Sequence, residues 1–290
     1  MEKISRNIHA IILLIFVGMV AVIWYAVFHF EARQNLLVTF FDVGQGDAIF
    51  IEVPNGNQIL VDGGPGDRIL AKLGNTLPFW DRSIDLLILT HPHADHLDGL
   101  LEVLKRYDVG MVLEPGVPHS IPEYQEWREV LGRKNVPVVV ARVGEGINAG
   151  AGVVMDVLAP FDDCCAASVK NVHDANVVAR LTHGKTLILL TGDAEKMIEY
   201  RLFFESPEMI DADILKVGHH GSKTSTTEEF LAAVSPDVAV IQVGRKNRFG
   251  HPYQGVLERL AGASAKILRT DRDRDIRIWS DGARYGLLSE

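Results

Sequence analysis

The sequence predicts an α/β chain: one apolar helix at the N-terminus, then a single domain over residues 34–290 in which sheets are covered by helices. Three observations predict it. Short apolar runs alternate with amphipathic stretches through most of the chain, so strands feed helices that must pack back on their sheets. With 47% hydrophobic and 23% charged residues in a chain of 290, there is apolar surface enough for a full core, which excludes disorder or a coiled coil as a description of the whole. No linker, low-complexity tract or internal repeat divides residues 36–290.

The elements follow in order. Ala10 to Phe28 carry no charge and no proline, and the run is long enough to cross a bilayer core as a helix. Lys3 and Arg6 precede it and Trp24 and Tyr25 lie near its far end, so the positive-inside rule keeps the N-terminus in the cytoplasm and exports the rest. A cleaved signal peptide is the rival reading, but Val27-Phe28-His29-Phe30 supplies no small-x-small site. Residues 1–33 are therefore expected to anchor the chain in the cytoplasmic membrane by a single pass, with the domain on the extracytoplasmic side.

Leu37 to Val43, Ala48 to Val53 and Gln58 to Val61, joined through Gly44-Gln45-Gly46-Asp47 and Pro54-Asn55-Gly56-Asn57, read as a β-meander. Apolar runs at Ile84 to Leu89, Val109 to Leu113, Val136 to Val140, Val153 to Leu158, Thr186 to Leu190, Ile214 to Val217 and Val238 to Val243 read as buried strands. Apolar residues at three- and four-residue spacing predict helices over Leu97 to Arg106, Glu123 to Arg133, Ala194 to Phe204, Thr227 to Ala233 and Tyr253 to Leu260.

Lys plus Arg number 29 against 38 Asp plus Glu, and a net charge of −9 excludes a histone-like binder of polyanions. Local basic segments remain: Arg245-Lys246-Asn247-Arg248, Lys216 with Lys223, and Arg269, Arg272, Arg274 and Arg277. The last set alternates with Asp271, Asp273 and Asp275 and reads as a solvated hairpin. Cys164 and Cys165 are adjacent, so they staple no distant segments, and they are too few for a cysteine zinc site.

The chemistry concentrates where strands end. The run through Leu89 and Thr90 is followed by His91-Pro92-His93-Ala94-Asp95-His96 and a helix, four potential ligands in six positions. Residues two apart on an extended backbone share a face, so His91 and His93 converge on one ion, while entry into the helix swings Asp95 and His96 toward a second. Imidazole with carboxylate suits zinc, manganese or iron. Three later strands run into loops of the same kind, carrying Asp193, the pair His219-His220, and His251. Asp193 also stands where it would N-cap the following helix.

Taken together, FFDVGQGDAIFIEV (40–53), ILVDGG (59–64), LTHPHADHLDGL (89–100), LLTGDAE (189–195), LKVGHHGSKTS (215–225), NRFGHP (247–252) and RTDRDRDIRIW (269–279) resemble the metallo-β-lactamase superfamily. Within it they resemble the exported hydrolase-like domain of ComEC-type competence proteins. The resemblance implies a four-layer αββα sandwich with two divalent metal ions, Zn or Mn, at one edge. It implies that His91 and His93 bind the first ion, Asp95 and His96 the second, that Asp193 bridges both, and that His251 completes the second site. Asp62 would orient the motif from behind.

A third histidine for the first ion has one placed candidate, His173, where ComEC-like domains often carry an Asn/Ser-rich stretch instead. Water held by Asp95 and Asp193 would attack, and His219 would be a proton donor or an outer contact, with His220 the second choice. The implied activity is a phosphodiesterase or nuclease acting on DNA during uptake. The alternatives are hydrolysis of a small ester, lactam or thioester, and a non-catalytic accessory subunit. ComEC proteins have a multi-helix channel and this chain has one expected span, so the pore of such a system would be a separate partner protein.

Overall fold

The computed structural model describes residues 9, 11–24, 35–161 and 172–288. Residues 11–24 form helix α1, whose apolar side chains are exposed on every face, Leu14 at 71% and Trp24 at 58%. Among the described residues no helix is long and apolar enough to cross a membrane. The transmembrane helix expected over Ala10 to Phe28 is thus not supported by the described helix, and residues 10 and 25–28 of it lie outside the described residues, as do Cys164 and Cys165.

The first half of the domain opens with an antiparallel meander of β1 (Leu36–Phe40), β2 (Ile49–Glu52) and β3 (Gln58–Val61). It continues through α2 (Arg68–Thr76), β4 (Ser83–Ile88), α3 (Ala94–Arg106), β5 (Asp108–Glu114), α4 (Pro122–Lys134) and β6 (Val138–Val140), with β3 to β6 parallel. The second half starts with antiparallel β7 (Gly146–Gly150), β8 (Val153–Ala159), β9 (Val178–His183) and β10 (Thr186–Leu190). Parallel strands β11 (Ile214–Lys216), β12 (Val238–Ile241) and β13 (Lys266–Arg269) follow, separated by α5 (Lys196–Glu205), α6 (Glu228–Val234) and α7 (Gln254–Gly262). The short helix α8 (Thr270–Asp273) then leads to β14 (Ile276–Ser280) and β15 (Tyr285–Leu288), which return to the first sheet.

The sheets have orders β15-β14-β1-β2-β3-β4-β5-β6 and β13-β12-β11-β10-β9-β8-β7. Their facing sides share one core, in which Val38, Phe40, Ile51 and Ile88 meet Met155, Leu181, Ile188 and Val240. Side chains of odd and even positions leave a strand on opposite sides, so Phe50, Leu60 and Leu87 point outward and pack under Leu73, Leu97, Leu104 and Trp127 of α2, α3 and α4. On the other outer face Leu189, Leu215 and Ala239 pack under Ile198, Leu202, Phe230 and Leu260 of α5, α6 and α7. The result is the four-layer αββα sandwich.

Two sequence expectations change here. The arginine-rich run 269–277 is no hairpin, because β13 and β14 belong to different sheets and the segment between them is the crossover. Arg269 spends its charge on Asp271 at 2.8 Å. Lys216, offered as a basic surface residue, is fully buried at the end of β11. The reading also assigns no element to residues 68–76, 146–150, 178–183 or 285–288, where α2, β7, β9 and β15 lie. In β9 the run Val178-Ala179-Arg180-Leu181-Thr182-His183 is central in its sheet but carries three polar side chains, so it makes no apolar run.

Candidate metal centre

Parallel neighbours point their C-terminal ends the same way, so the loops after β3 and β4 gather at one edge of the first sheet and those after β10, β11 and β12 at one edge of the second. Nearly every chemical residue sits on these five loops. Asp62, just past β3, takes a left-handed backbone with φ 55° and is fully buried. Its carboxylate accepts the Thr90 backbone N–H at 2.8 Å and the Thr90 hydroxyl at 2.7 Å, and its Oδ2 meets His96 Nδ1 at 2.7 Å. That bond fixes the His96 ring and turns its Nε2 toward Asp193 Oδ2, 3.4 Å away.

Helix α3 approaches this loop closely enough to require glycine on both sides. A Cβ on Gly99 would lie 1.9 Å from the Gly63 carbonyl oxygen, and one on Gly63 would lie 2.2 Å from the Leu100 nitrogen. Gly63 N–H donates to the His96 carbonyl at 2.8 Å across the same junction. The first turn of α3, with Asp95 and His96, is thereby held against the end of β3.

Among the clusters of donor atoms within 4.8 Å of one another at this edge are His91 with His93 and His173, Asp95 with His96 and His220, and His91 with His96 and Asp193. Asp193 lies between the first two, its Oδ2 3.8 Å from His91 and its Oδ1 3.6 Å from His220. Asn176 braces it, accepting the Asp193 N–H at 2.9 Å and donating to the Thr191 carbonyl at 2.7 Å. His173 sits one short 3-10 turn before Asn176, its ring centroid 5.1 Å from that of His91 and 4.7 Å from that of His93.

The two histidines after β11 have separate duties. Both take left-handed backbone, with φ 46° at His219 and 54° at His220, which sends the neighbouring rings apart. His220 is buried, its Nδ1 2.9 Å from the Gln242 carbonyl and 3.3 Å from Asp47 Oδ1, so its Nε2 faces Asp95 Oδ2 at 3.5 Å. His219 is partly open to solvent, with Nδ1 3.1 Å from Glu195 Oε1 and Nε2 3.7 Å from Asp193 Oδ2. His251 stands at the margin, its ring 5.7 Å from His219 and 6.4 Å from His220.

Charge divides the rings. Burial opposes protonation of His96, yet Asp193, Asp62 and Asp95 raise its pKa well above the ordinary value. Burial opposes it at His220 too, and Asp193 and Asp47 push that ring up to about 10. Burial and the His96 charge hold His91 well below the usual range, and burial with His173 and His96 takes His93 down to about 4. Despite its burial, Asp193 is held far below a normal carboxylate by His220 and His96.

The donor set fits divalent metal ions. Nε2 of His96, Nε2 of His220 and Oδ1 of Asp193 are buried and make no hydrogen bond, an expensive arrangement unless a cation is their partner. Imidazole nitrogens and carboxylate oxygens suit zinc, manganese or iron alike. Sequence reasoning missed three contributors: Asp47, Lys216 and Glu195. All lie within the quoted motifs, but nothing in a one-dimensional pattern says that a lysine ending a strand is buried beside an aspartate far upstream.

Residues 41–163 match the family model described as the metallo-beta-lactamase superfamily. The chain carries a metallo-β-lactamase domain. The chain is 30% identical over 263 residues to ComE operon protein 3 of Bacillus subtilis, covering 83% of this chain and 32% of that protein. It is 34% identical over 242 residues to recombination protein 2 of Haemophilus influenzae, covering 82% of this chain and 28% of that one. The chain thus spans about a third of the length of the curated relatives it matches. Among solved structures, the metallo-beta-lactamase fold protein YhfI from Bacillus subtilis superposes with a TM-score of 0.55 at 12% identity, over 81% of this chain and 96% of that one. The fold is the metallo-β-lactamase fold, and the chain is also similar to part of competence protein ComA of Neisseria gonorrhoeae, 30% identical over 245 residues, covering 82% of this chain and 31% of that one.

Proposed function

We propose that the chain is a metal-dependent phosphodiesterase that cuts DNA during uptake, tethered to the outer side of the cytoplasmic membrane by its apolar N-terminal run. The observation that carries the proposal is the position of Asp193 between two converging groups, His91 with His93 and His173, and Asp95 with His96 and His220. Such a pair of adjoining sites suits a phosphodiester, since divalent ions held there would supply a water nucleophile and stabilisation of charge on the phosphoryl oxygens.

The chain's own groups supply the rest. His91, His93, His173, Asp95, His96, His220 and Asp193 would hold the ions, with His251 beside the second group. His219 is oriented by Glu195, which also accepts the Thr224 hydroxyl at 2.7 Å, and it is open enough to give a proton to the leaving oxygen. Arg245, Lys246 and Arg248, exposed beside His251, are placed to meet the phosphates of a strand. Tethering is supported by the exposed apolar side chains of α1, and a channel protein for the strand is the partner this reading calls for.

Degradation of end-labelled single-stranded DNA by the purified domain with Mn²⁺ or Zn²⁺, compared with Asp193→Ala, tests the proposal. Cleavage by the parent that vanishes in the variant supports it. Hydrolysis of a chromogenic lactam with no loss of DNA would sink it.

A further inference from the structure

We propose that Phe249 is a base-stacking platform at the mouth of the metal centre, so that the preferred substrate is a single strand whose base beside the scissile phosphate lies on this ring. The inference rests on the phosphodiesterase reading and names the substrate class that the reading leaves open.

Phe249 is 56% exposed, on the loop between β12 and α7. One side of the ring stacks on His251, with centroids 5.7 Å apart and planes inclined by 25°. His251 is in turn the next ring out from His219 and His220. Phe249 therefore stands one ring beyond the ligand group, at the rim rather than within it. A phenyl ring placed there adds little to the core and leaves more than half of its surface to solvent.

The loop is rigid. Asn247 donates through Nδ2 to the carbonyls of Gly244 at 2.9 Å and His251 at 2.8 Å, while its Oδ1 accepts the N–H groups of Phe249 at 3.2 Å and His251 at 3.0 Å. One amide side chain thus clamps both ends of the turn, and the ring is presented without a large ordering cost on binding.

Its surroundings suit a nucleic acid strand. Residues 244–252 read Gly-Arg-Lys-Asn-Arg-Phe-Gly-His-Pro, with three cations and no carboxylate in a chain whose net charge is −9. The Arg248 guanidinium lies over the Phe249 ring, 5.3 Å from its centroid, on an exposed side chain that an incoming base would displace toward the neighbouring phosphate, and Arg245 and Lys246 are exposed on the same turn. An aromatic face bordered by cations is how proteins hold single strands without reading sequence, because every base has a π face and every phosphate a charge. Paired bases in a duplex are already stacked, so the platform favours a single strand.

The test compares the parent protein with Phe249→Ala, Phe249→Leu and Phe249→Trp, using fluorescein-labelled oligothymidylate and a strand of equal length made of abasic sugar phosphates. Binding is followed by anisotropy in EDTA, and cleavage is followed separately with Mn²⁺. The expected result is that Phe249→Ala and Phe249→Leu weaken oligothymidylate binding about tenfold. Phe249→Trp should restore it, and its indole emission should be quenched by the bases. All four proteins should bind the abasic strand equally and weakly. Equal affinity of parent and Phe249→Ala for oligothymidylate, while both cleave it, overturns the platform and leaves the phosphodiesterase reading standing. The base-dependent contrast without cleavage by the parent keeps the platform and removes the phosphodiesterase reading.

Discussion

Asp47, on the loop after β1, forms a fully buried ion pair with Lys216 at the end of β11, and so joins the two sheets directly behind the metal centre. Lys216 also donates to the Gly192 carbonyl at 2.6 Å, beside Asp193. Burial works against the Asp47 charge, but Lys216 and His220 hold its carboxyl below the usual range. The pair places its other carboxylate oxygen 3.3 Å from His220 and thereby sets that ring.

Removing one member leaves the other a buried charge without its main counter-ion. Lys216→Met is expected to lower stability to urea by about 3–5 kcal/mol. The double variant Asp47→Asn with Lys216→Met should recover part of that loss. Equal urea midpoints for the parent and the single variant would show that the pair carries no structural weight.

Loss of an outer partner of a metal site typically costs about 10–100-fold in affinity or activity, so loss of a ligand shared by both groups should cost more. Asp193→Ala is therefore expected to lower metal content, measured by elemental analysis after dialysis, and to abolish metal-dependent turnover. Its far-ultraviolet circular dichroism should match the parent. Retention of two ions and full activity would remove Asp193 from its bridging position.

Glu195→Gln tests the orientation of His219, which it contacts at 3.1 Å. A fall of roughly 10–100-fold in kcat with KM little changed is expected if the ring must be held for proton transfer. A leaving group that needs no proton, such as p-nitrophenolate, should be spared much of the loss. Equal losses for both kinds of leaving group would contradict the role.

Gly99→Ala sets two effects against each other. Helix propensity favours alanine by up to about 1 kcal/mol. Its Cβ, however, would lie 1.9 Å from the Gly63 carbonyl, a backbone atom that cannot swing aside. Overpacking of this kind costs about 1–3 kcal/mol, so the clash should win. The variant is expected to lose thermal stability and, because α3 carries Asp95 and His96, to lose metal affinity with it.

Metal binding should release protons. His220 is pushed up to about 10 and His96 stands well above its ordinary value, so both rings carry protons at pH 7 that a metal must displace. His93, at about 4, has none to give there. Affinity should therefore rise with pH between 6 and 8, by about tenfold per unit for each proton released. Calorimetric titration in two buffers of different ionisation enthalpy counts those protons, and a count of zero would refute this charge distribution.

Much of this site is legible in one dimension because its residues lie in short runs beside strand ends. His91, His93, Asp95 and His96 fall within six positions, but the first two meet across a tight turn past the end of β4, where the His93 N–H donates to the His91 carbonyl at 2.9 Å, and not along an extended strand. Strands β3 and β10 are read to the residue, since Gln58–Val61 and Thr186–Leu190 are bounded by turn residues on each side. Elements with mixed composition, such as β9, are not, because their burial comes from neighbours and not from their own pattern.

The sequence by itself determined the layered α/β class, the opening meander and the cluster of histidines and aspartates from which metal chemistry follows, for these depend on local periodicity and spacing. Only the tertiary structure decided which of two adjacent histidines turns inward: left-handed backbone at both sends His220 to Asp47 and Asp95 and His219 to Glu195. It also decided that Lys216 is an internal counter-ion and that residues 269–277 carry the chain between sheets. These outcomes rest on partners far apart in the chain, as with Asp47 and Lys216, and burial and charge pairing are fixed only when both sheets are in place.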